Sequence, residues 1–459
     1  MTWGDAAATE RVVATLPAGS RAQARELSEL SNRYAEEGRW QEGLAAAERA
    51  EIILRGLPAL CREHREDLAA LLTNLSNRLG DLARPVDALG PAREAVLIFR
   101  ELADGEPTPD VALSLNNLSI WLSEAGRRAE ALIAAHEATE IYRFCVTRHR
   151  RHRPQLAAAL NNLSNRLAES ALPVGAEQVI AEAVGVRRDL VRMSPRQHAA
   201  DLASSLNNWA YRLVDLGRGT QALPVVDEAV RLYRKLARTQ PSPYRGDLAI
   251  ALDTAASCFS LVARHDEAAA VSAESVAIYR SLATAFPGVY DTRLALALLT
   301  RGRLRMAAGD YAEALVAFRA AGEVVTGDPM VEVEVARGVG AAQYGRGRFA
   351  DALTAYRLAV TMLPATAARS RLRRDSELGL GELKDLATDA TAAAIRQGEL
   401  SQAVEFLEQA RGVLAAAQLN LQGSLARLRA AHPTAAAALD ELLRRTDVLD
   451  RAALQAPRR

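Results

Sequence analysis

Aromatic residues are scarce in this chain: Phe, Trp and Tyr make up 5% of 459 residues, although 49% are hydrophobic. Ala and Leu take many of the apolar positions, which favours tightly packed helices over sheet. An excess charge is missing too. Fifty-seven Lys and Arg stand against 56 Asp and Glu, for a formal net charge of +1, so the sequence-independent attraction on which nucleic-acid binders rely is absent, and no nucleic-acid partner is expected. Lysine is almost absent, Lys235 and Lys384 being rare exceptions among arginines; codon bias in a GC-rich genome accounts for that without phosphate recognition.

Cysteine is equally sparse. Cys61, Cys145 and Cys258 are far apart and odd in number, which excludes a disulfide framework and points to a reducing compartment. No stretch approaches the roughly 18 uninterrupted apolar residues that a spanning helix needs. Met1 to Leu16 carries Asp5 and Glu10 among small residues, without the basic end and apolar core of a secretory signal. A soluble cytoplasmic protein with no membrane partner is the expectation.

What the chain does have is repetition. Leu115-Asn116-Asn117-Leu118 recurs as Leu160-Asn161-Asn162-Leu163, with variants Leu72-Thr73-Asn74-Leu75 and Leu206-Asn207-Asn208-Trp209, at intervals of 43, 45 and 46 residues. One supersecondary unit is therefore stacked along the chain. Leu115, Leu118 and Leu122 have helical spacing, as do Leu160, Leu163 and Leu167. This first helix closes at Gly38, Gly126, Gly217, Gly309, Gly347 and Gly398, where glycine supplies a left-handed residue without side-chain penalty. Ala83 and Ala263 depart from the pattern and are expected to stop the helix by other means. Turns near residues 38, 83, 126, 171, 217, 263, 309, 347 and 398 make nine units. The turn at Ser170-Ala171-Leu172-Pro173 is eroded, and Arg301 and Arg305 stand where apolar residues are expected. A kink or a change of superhelical pitch is expected at these two places.

Five residues after eight of the nine turns comes an alanine, and seven later another small residue: Ala88 and Ala95, Ala131 and Ala138, Ala176 and Ala183, Ala222 and Ala229, Ala268 and Ser275, Ala314 and Ala321, Ala352 and Ala359, Ala403 and Ala410. Seven residues is two turns, so both small side chains share one face of a second helix and let the pair approach closely. Asp67, Asp110, Asp201 and Asp247 are expected to open first helices, where a carboxylate favours the positive end.

These residues resemble the tetratricopeptide repeat, clearest in Val339, Gly340, Gly347, Ala352, Tyr356, Ala359 and Pro364. The resemblance implies an all-α fold, an α-solenoid in which stacked helix-turn-helix repeats wind into a right-handed superhelix. The earlier units exceed the usual repeat length and are similar to the kinesin-light-chain-like subclass. Their second helices run on through Ile98-Phe99-Arg100, Ile141-Tyr142-Arg143, Leu232-Tyr233-Arg234 and Ile278-Tyr279-Arg280. The expected organisation is an N-terminal, partly disordered cap over 1–24, about six long repeats over 25–296, about three shorter repeats over 297–415, and a C-terminal helical cap or connector over 416–459.

Asparagine is a poor helix former, yet it recurs in mid-helix. Asn116, Asn161 and Asn207 lie ten residues before their turns; Asn74, Asn117, Asn162 and Asn208 lie nine before; Asn32, Asn77 and Asn165 lie six before. Resemblance to tetratricopeptide arrays implies that these positions face a concave groove and clamp a peptide main chain or terminal carboxylate, for which an amide that both donates and accepts is suited. Asparagines at equivalent positions can instead bond between adjacent repeats as a ladder, in particular Asn74, Asn117, Asn162 and Asn208, nine before the turn. The sequence leaves both readings open.

Catalytic chemistry has no foothold. Cys61 with His64, and Cys145 with His149 and His152, lack zinc-site spacing, and Arg148, Arg150, Arg151 and Arg153 repel a cation from the second group. Phosphate-loop, nucleophile-elbow and zinc-peptidase motifs are absent. No enzyme, metal or cofactor is expected, and the function expected is a protein-interaction scaffold for a peptide or partner protein. Residues 403–414 and Leu428-Arg429-Ala430-Ala431-His432-Pro433 resemble the connector of actinobacterial proteins whose tetratricopeptide arrays precede a CHAT domain, a caspase-like cysteine peptidase fold. That resemblance implies an effector peptidase domain in cis or trans and, as the alternative function, a regulatory or sensor module for it. The domain's own His and Cys are not in this sequence, so peptidase activity is not carried over.

Overall fold

The computed structural model describes residues 6–57, 61–324, 327–370 and 376–408. Among the described residues the regular structure is helical, from α1 (Ala6–Thr15) to α18 (Ser376–Gln397), with one short 3-10 turn at Arg150–His152 and a final helical stretch over 400–408. No described helix is long and apolar enough to cross a membrane. The connector resembling CHAT-protein sequences lies almost wholly outside the described residues.

Contacts divide the chain into two compact units, one ending at Leu172 and one starting at Pro173. The first contains α2 (Arg21–Glu36), α3 (Trp40–Gly56), α4 (Arg62–Asp81), α5 (Pro85–Ala103), α6 (Pro109–Glu124), α7 (Arg128–Arg148) and α8 (Arg153–Glu169). The second contains α9 (Pro173–Met193), α10 (Pro195–Asp215), α11 (Gly219–Thr239), α12 (Pro241–Leu261), α13 (His265–Ala285), α14 (Asp291–Ala307), α15 (Tyr311–Gly322), α16 (Pro329–Gly345), α17 (Phe349–Ser370) and α18. Within each unit every helix packs on its sequence neighbours, so the layers stack in chain order and the fold is an α-solenoid.

All nine turns close in one way. At Gly38 (φ 74°) the glycine N–H donates to Ala35 O at 3.0 Å and Arg39 N–H donates to Tyr34 O at 2.8 Å, the paired bonds of a Schellman motif. Ala83 and Ala263 do not stop their helices by other means: they take the same left-handed conformation (φ 56° and 59°) and make the same bonds. Ala171 (φ 57°) does likewise, and Leu172 N–H reaches Leu167 O at 3.0 Å, so the erosion there is one of sequence and not of geometry. Three L-residues thus hold a backbone state that costs them on the order of 1 kcal/mol each.

The small pairs do what their spacing implies: Ala88 through Ala359, and Ser275 with them, are sealed from solvent. Gly43 and Ala50 form the equivalent pair of the first unit; both are buried, and a Cβ on Gly43 would lie 3.1 Å from Ser31 O. A second row of small residues lies seven before the turns: Ser31, Ser76, Ser119, Ser164, Ala210, Ala256 and Gly302 are all buried. Where this position is glycine, a ring fills the space. Phe318 lies against Gly302 and Tyr356 against Gly340, so the shorter repeats exchange an alanine contact for a ring on bare backbone.

First helices begin earlier than the aspartates indicate. Asp110 does lie in the first turn of α6, but Asp67, Asp201 and Asp247 sit a turn or more inside α4, α10 and α12. Proline at the start of α10 and α12 presets φ for the first turn. The aspartates are used across helices instead: Asp67 accepts from Arg21 of α2, and Asp201 pairs with Arg187 of α9 at 2.8 Å. The extended second helices carry a similar device. Arg55 pairs with Glu94 (2.7 Å), Arg100 with Glu137 (2.6 Å), Arg188 with Glu228 (2.5 Å) and Arg234 with Glu274 (2.6 Å), each from one second helix to the next. These pairs are half-exposed and worth at most about 1 kcal/mol apiece; their consequence is register.

Candidate partner-binding surface

In the first unit, α2, α4, α6 and α8 pack in succession, and the asparagine positions recur along them. Two amides are committed to the stack. Asn74 Nδ2 donates to Ser28 Oγ at 3.1 Å, and Asn162 Nδ2 donates to Asn116 Oδ1 at 3.0 Å. In both, the residue nine before one turn reaches the residue ten before the preceding turn. Arginines five before the turn make a parallel set of bonds: Arg78 Nη1 donates to Ser31 O and Arg166 Nη1 to Ser119 O, each at 3.1 Å. Each of these arginines is also held by an acid one turn on, Asp81 at 3.0 Å and Glu169 at 2.8 Å. The recurring Ser-Asn-Arg run at residues 31, 76 and 164 carried this signal in the sequence, but only the asparagine was singled out.

Trp121 occupies the arginine place on α6. Its ring lies so close to Gly80 that any Cβ there would collide with it. Asn161 and Asn165 are also engaged in interactions. What is left over is Asn32, Asn77 and Asn117: all half-buried, on three adjoining first helices, with no side-chain hydrogen bond among the described residues. The structure therefore separates the stapling members Asn74, Asn116 and Asn162 from the uncommitted Asn32, Asn77 and Asn117.

The second unit contains Asn207 and Asn208 on α10. Asn208 is engaged, whereas Asn207 is buried and its Oδ1 has no hydrogen-bond partner among the described residues. Register explains the difference. Thr254, nine before its turn, stands where α4 and α8 carry the donating asparagine, and its hydroxyl donates within its own helix to Ile250 O at 3.2 Å. Beside it, Asp253 Oδ1 is likewise sealed without a partner, and burial pushes its carboxyl up to about 6 against the smaller opposing effects of Ser275 and Arg293.

Among the described residues no group of three His, Cys, Asp or Glu could hold a metal ion. Cys145 and Cys258 are buried thiols, Cys61 is exposed, and all three are free. Burial pushes Cys258 up to about 12, so its nucleophilic thiolate is scarcely populated. His152 is depressed by burial and by Arg151, and His149 meets it edge-on at 6.3 Å.

The tetratricopeptide repeat family matches residues 111–143 and 202–237, the helix pairs that begin with α6 and α10. No curated protein sequence matches the chain. Among solved structures, the apo form of RapI is 12% identical and covers 87% of this chain and 98% of its own, with a TM-score of 0.54. A Rap protein complexed with competence and sporulation factor is 14% identical over 84% of this chain and 99% of its own, with a TM-score of 0.48. BtubC from P. vanneervenii is 19% identical over 50% and 87%, with a TM-score of 0.42. The likeness to RapI is one of fold.

Proposed function

We propose that this chain is a protein-interaction scaffold, that its nine units are all tetratricopeptide repeats, and that the first-helix strip of the first unit holds an extended peptide segment of a partner protein. One observation carries the reading: Asn32, Asn77 and Asn117 present uncommitted amides on adjoining helices, while Asn74, Asn116 and Asn162 beside them are consumed by the stack. A helix bears the propensity cost of asparagine for a reason, and stapling supplies that reason only for the second group. Free amides on three successive first helices, Asn32 and Asn77 at one repeat position and Asn117 three residues earlier in its unit, suit a peptide main chain, whose N–H and C=O groups need both a donor and an acceptor. Uniform turns and sealed small pairs extend the repeat register beyond the two matched segments, and the near-zero net charge favours protein over nucleic acid as partner.

Affinity capture with the whole chain as bait, run beside a variant carrying Asn32→Ala, Asn77→Ala and Asn117→Ala, tests this. A partner retained by the first and lost by the second, at equal helicity and melting, is the expected result. Equal retention of every captured protein by both baits would overturn it.

A further inference from the structure

A cleft of about 580 Å³ opens in the second unit between α11, α12 and α13, lined by Arg231, Arg234, Lys235, Arg238 and Arg245 around Leu248 and Ile278. Five cations share it with a single acid, Glu274. Glu274 is already spent on Arg234 at 2.6 Å, one of the cross-repeat pairs that recur along the second helices, and Arg245 donates to Ser281 Oγ at 3.4 Å. The side chains of Arg231, Lys235 and Arg238 are exposed and have no ion pair or hydrogen bond among the described residues. They lie four and seven residues apart, on one face of α11, where like charges oppose the helix.

The repeat does not require them. The place of Arg231, fourteen after its turn, is Ile52, Leu97, Glu140, Gly185 and Ala277 in other units. Lys235's place is Gly56, Glu101, Phe144, Asp189 and Ser281, and Lys235 is one of two lysines in the chain. Favourable interaction with the negative end of α11 accounts for Arg238 in the last turn but not for Arg231, two turns inside. In a chain of net charge +1 whose arginines are otherwise widely paired with acids, three unmatched cations round one cleft are a concentrated positive field.

The floor decides what that field attracts. Leu248 is buried, Ile278 and Ala237 are half-buried, so the cleft has an apolar base beneath a cationic rim. We infer that it docks an acidic segment of a partner protein, one apolar side chain seated on Leu248 and Ile278 and flanking carboxylates meeting Arg231, Lys235 and Arg238. A bare phosphate ion would leave the apolar base uncovered, whereas glutamate next to leucine satisfies both parts. This surface is built from second helices and is separate from the asparagine strip, so the two readings fail independently.

Fluorescence anisotropy with a labelled short peptide of glutamate pairs alternating with leucine, titrated with the full chain, tests the inference. Binding that weakens with added salt, and by at least about tenfold in the combined variant Arg231→Glu, Lys235→Glu and Arg238→Glu, is expected. Arg192→Glu, an exposed arginine outside the cleft, leaves it unchanged, as does the triple asparagine variant. Should the charge-reversed protein lose its helicity, the neutral combination Arg231→Gln, Lys235→Gln and Arg238→Gln gives the same weakening. Three results overturn the inference: no binding, equal binding by the variants, or equal affinity for a peptide with serine replacing leucine. Complete displacement by inorganic tripolyphosphate at matched ionic strength also overturns it, by assigning the cleft to phosphate.

Discussion

Asn162 donates its side-chain amide to the Oδ1 of Asn116, 46 residues earlier, at 3.0 Å. Both residues belong to the recurrent Leu-Asn-Asn-Leu run, and the bond joins one first helix to the next through the one offset that places nine-before-the-turn beside ten-before-the-turn. A part-buried amide pair of this kind contributes about 1 kcal/mol. Asn162→Ala is therefore expected to lower unfolding free energy by about 1–2 kcal/mol, because Asn116 then holds an acceptor with no donor. A double-mutant cycle with Asn116→Ala, followed by urea denaturation, reads a coupling of about 0.5–1.5 kcal/mol. Additive losses would show that the pair does not interact.

Turn geometry gives an opposite pair of expectations. Ala83, Ala171 and Ala263 hold φ near +57°, which glycine adopts freely. Ala83→Gly, Ala171→Gly and Ala263→Gly are each expected to stabilise the fold by a few tenths to about 1 kcal/mol, the relief of strain outweighing the added chain entropy. Gly217→Ala destabilises it by about 1 kcal/mol, although nothing lies within 4 Å of the added Cβ. Thermal melts of the four variants check the signs.

Phe318 supplies a steric test in the shorter repeats. A Cβ on Gly338 would come within 2.6 Å of its ring, and Gly302 faces the same side chain. Phe318 is buried at 2% exposure and has no room to retreat. Gly338→Ala is expected to cost about 1–3 kcal/mol, and combining it with Phe318→Leu recovers part of that loss in the same denaturation assay.

Turn positions and the tight face of the second helix were legible because each rests on small residues at fixed offsets. The turns at Ala83 and Ala263 misled: propensity says that alanine avoids the left-handed region, but two backbone hydrogen bonds and the packing of both helices impose it. The uses of Asp67 and Asp201 were equally hidden, since their partners Arg21 and Arg187 lie in other helices. Asparagine spacing marked the candidate surface without dividing it. That division depends on whether the facing position holds Ser28, Asn116 or a threonine such as Thr254, which bonds to its own helix. The cationic cleft was invisible because it draws on α11, α12 and α13 together.

Asp253 makes part of the stability pH-dependent. Burial raises its carboxyl to about 6 in the fold, against about 3.9 in the unfolded chain, so the folded state favours the protonated form. Its contribution is complete below pH 4 and is lost as pH rises through 6. Asp253→Asn is accordingly expected to equal the parent near pH 4 and to exceed it above pH 7 by on the order of 2 kcal/mol. Denaturant midpoints measured across that range check the sign; a variant that is weaker than the parent above pH 7 would contradict it.

In the proposed function, amides left free by the stack hold a partner's main chain. Calorimetric titration of a peptide derived from a captured partner, into the parent chain and into the Asn32→Ala, Asn77→Ala, Asn117→Ala variant, measures this directly. Affinity at least about tenfold weaker in the variant, with little change in melting, and a similar loss when the peptide's main-chain amides are methylated, is the expected result. Undiminished binding by the variant would contradict it.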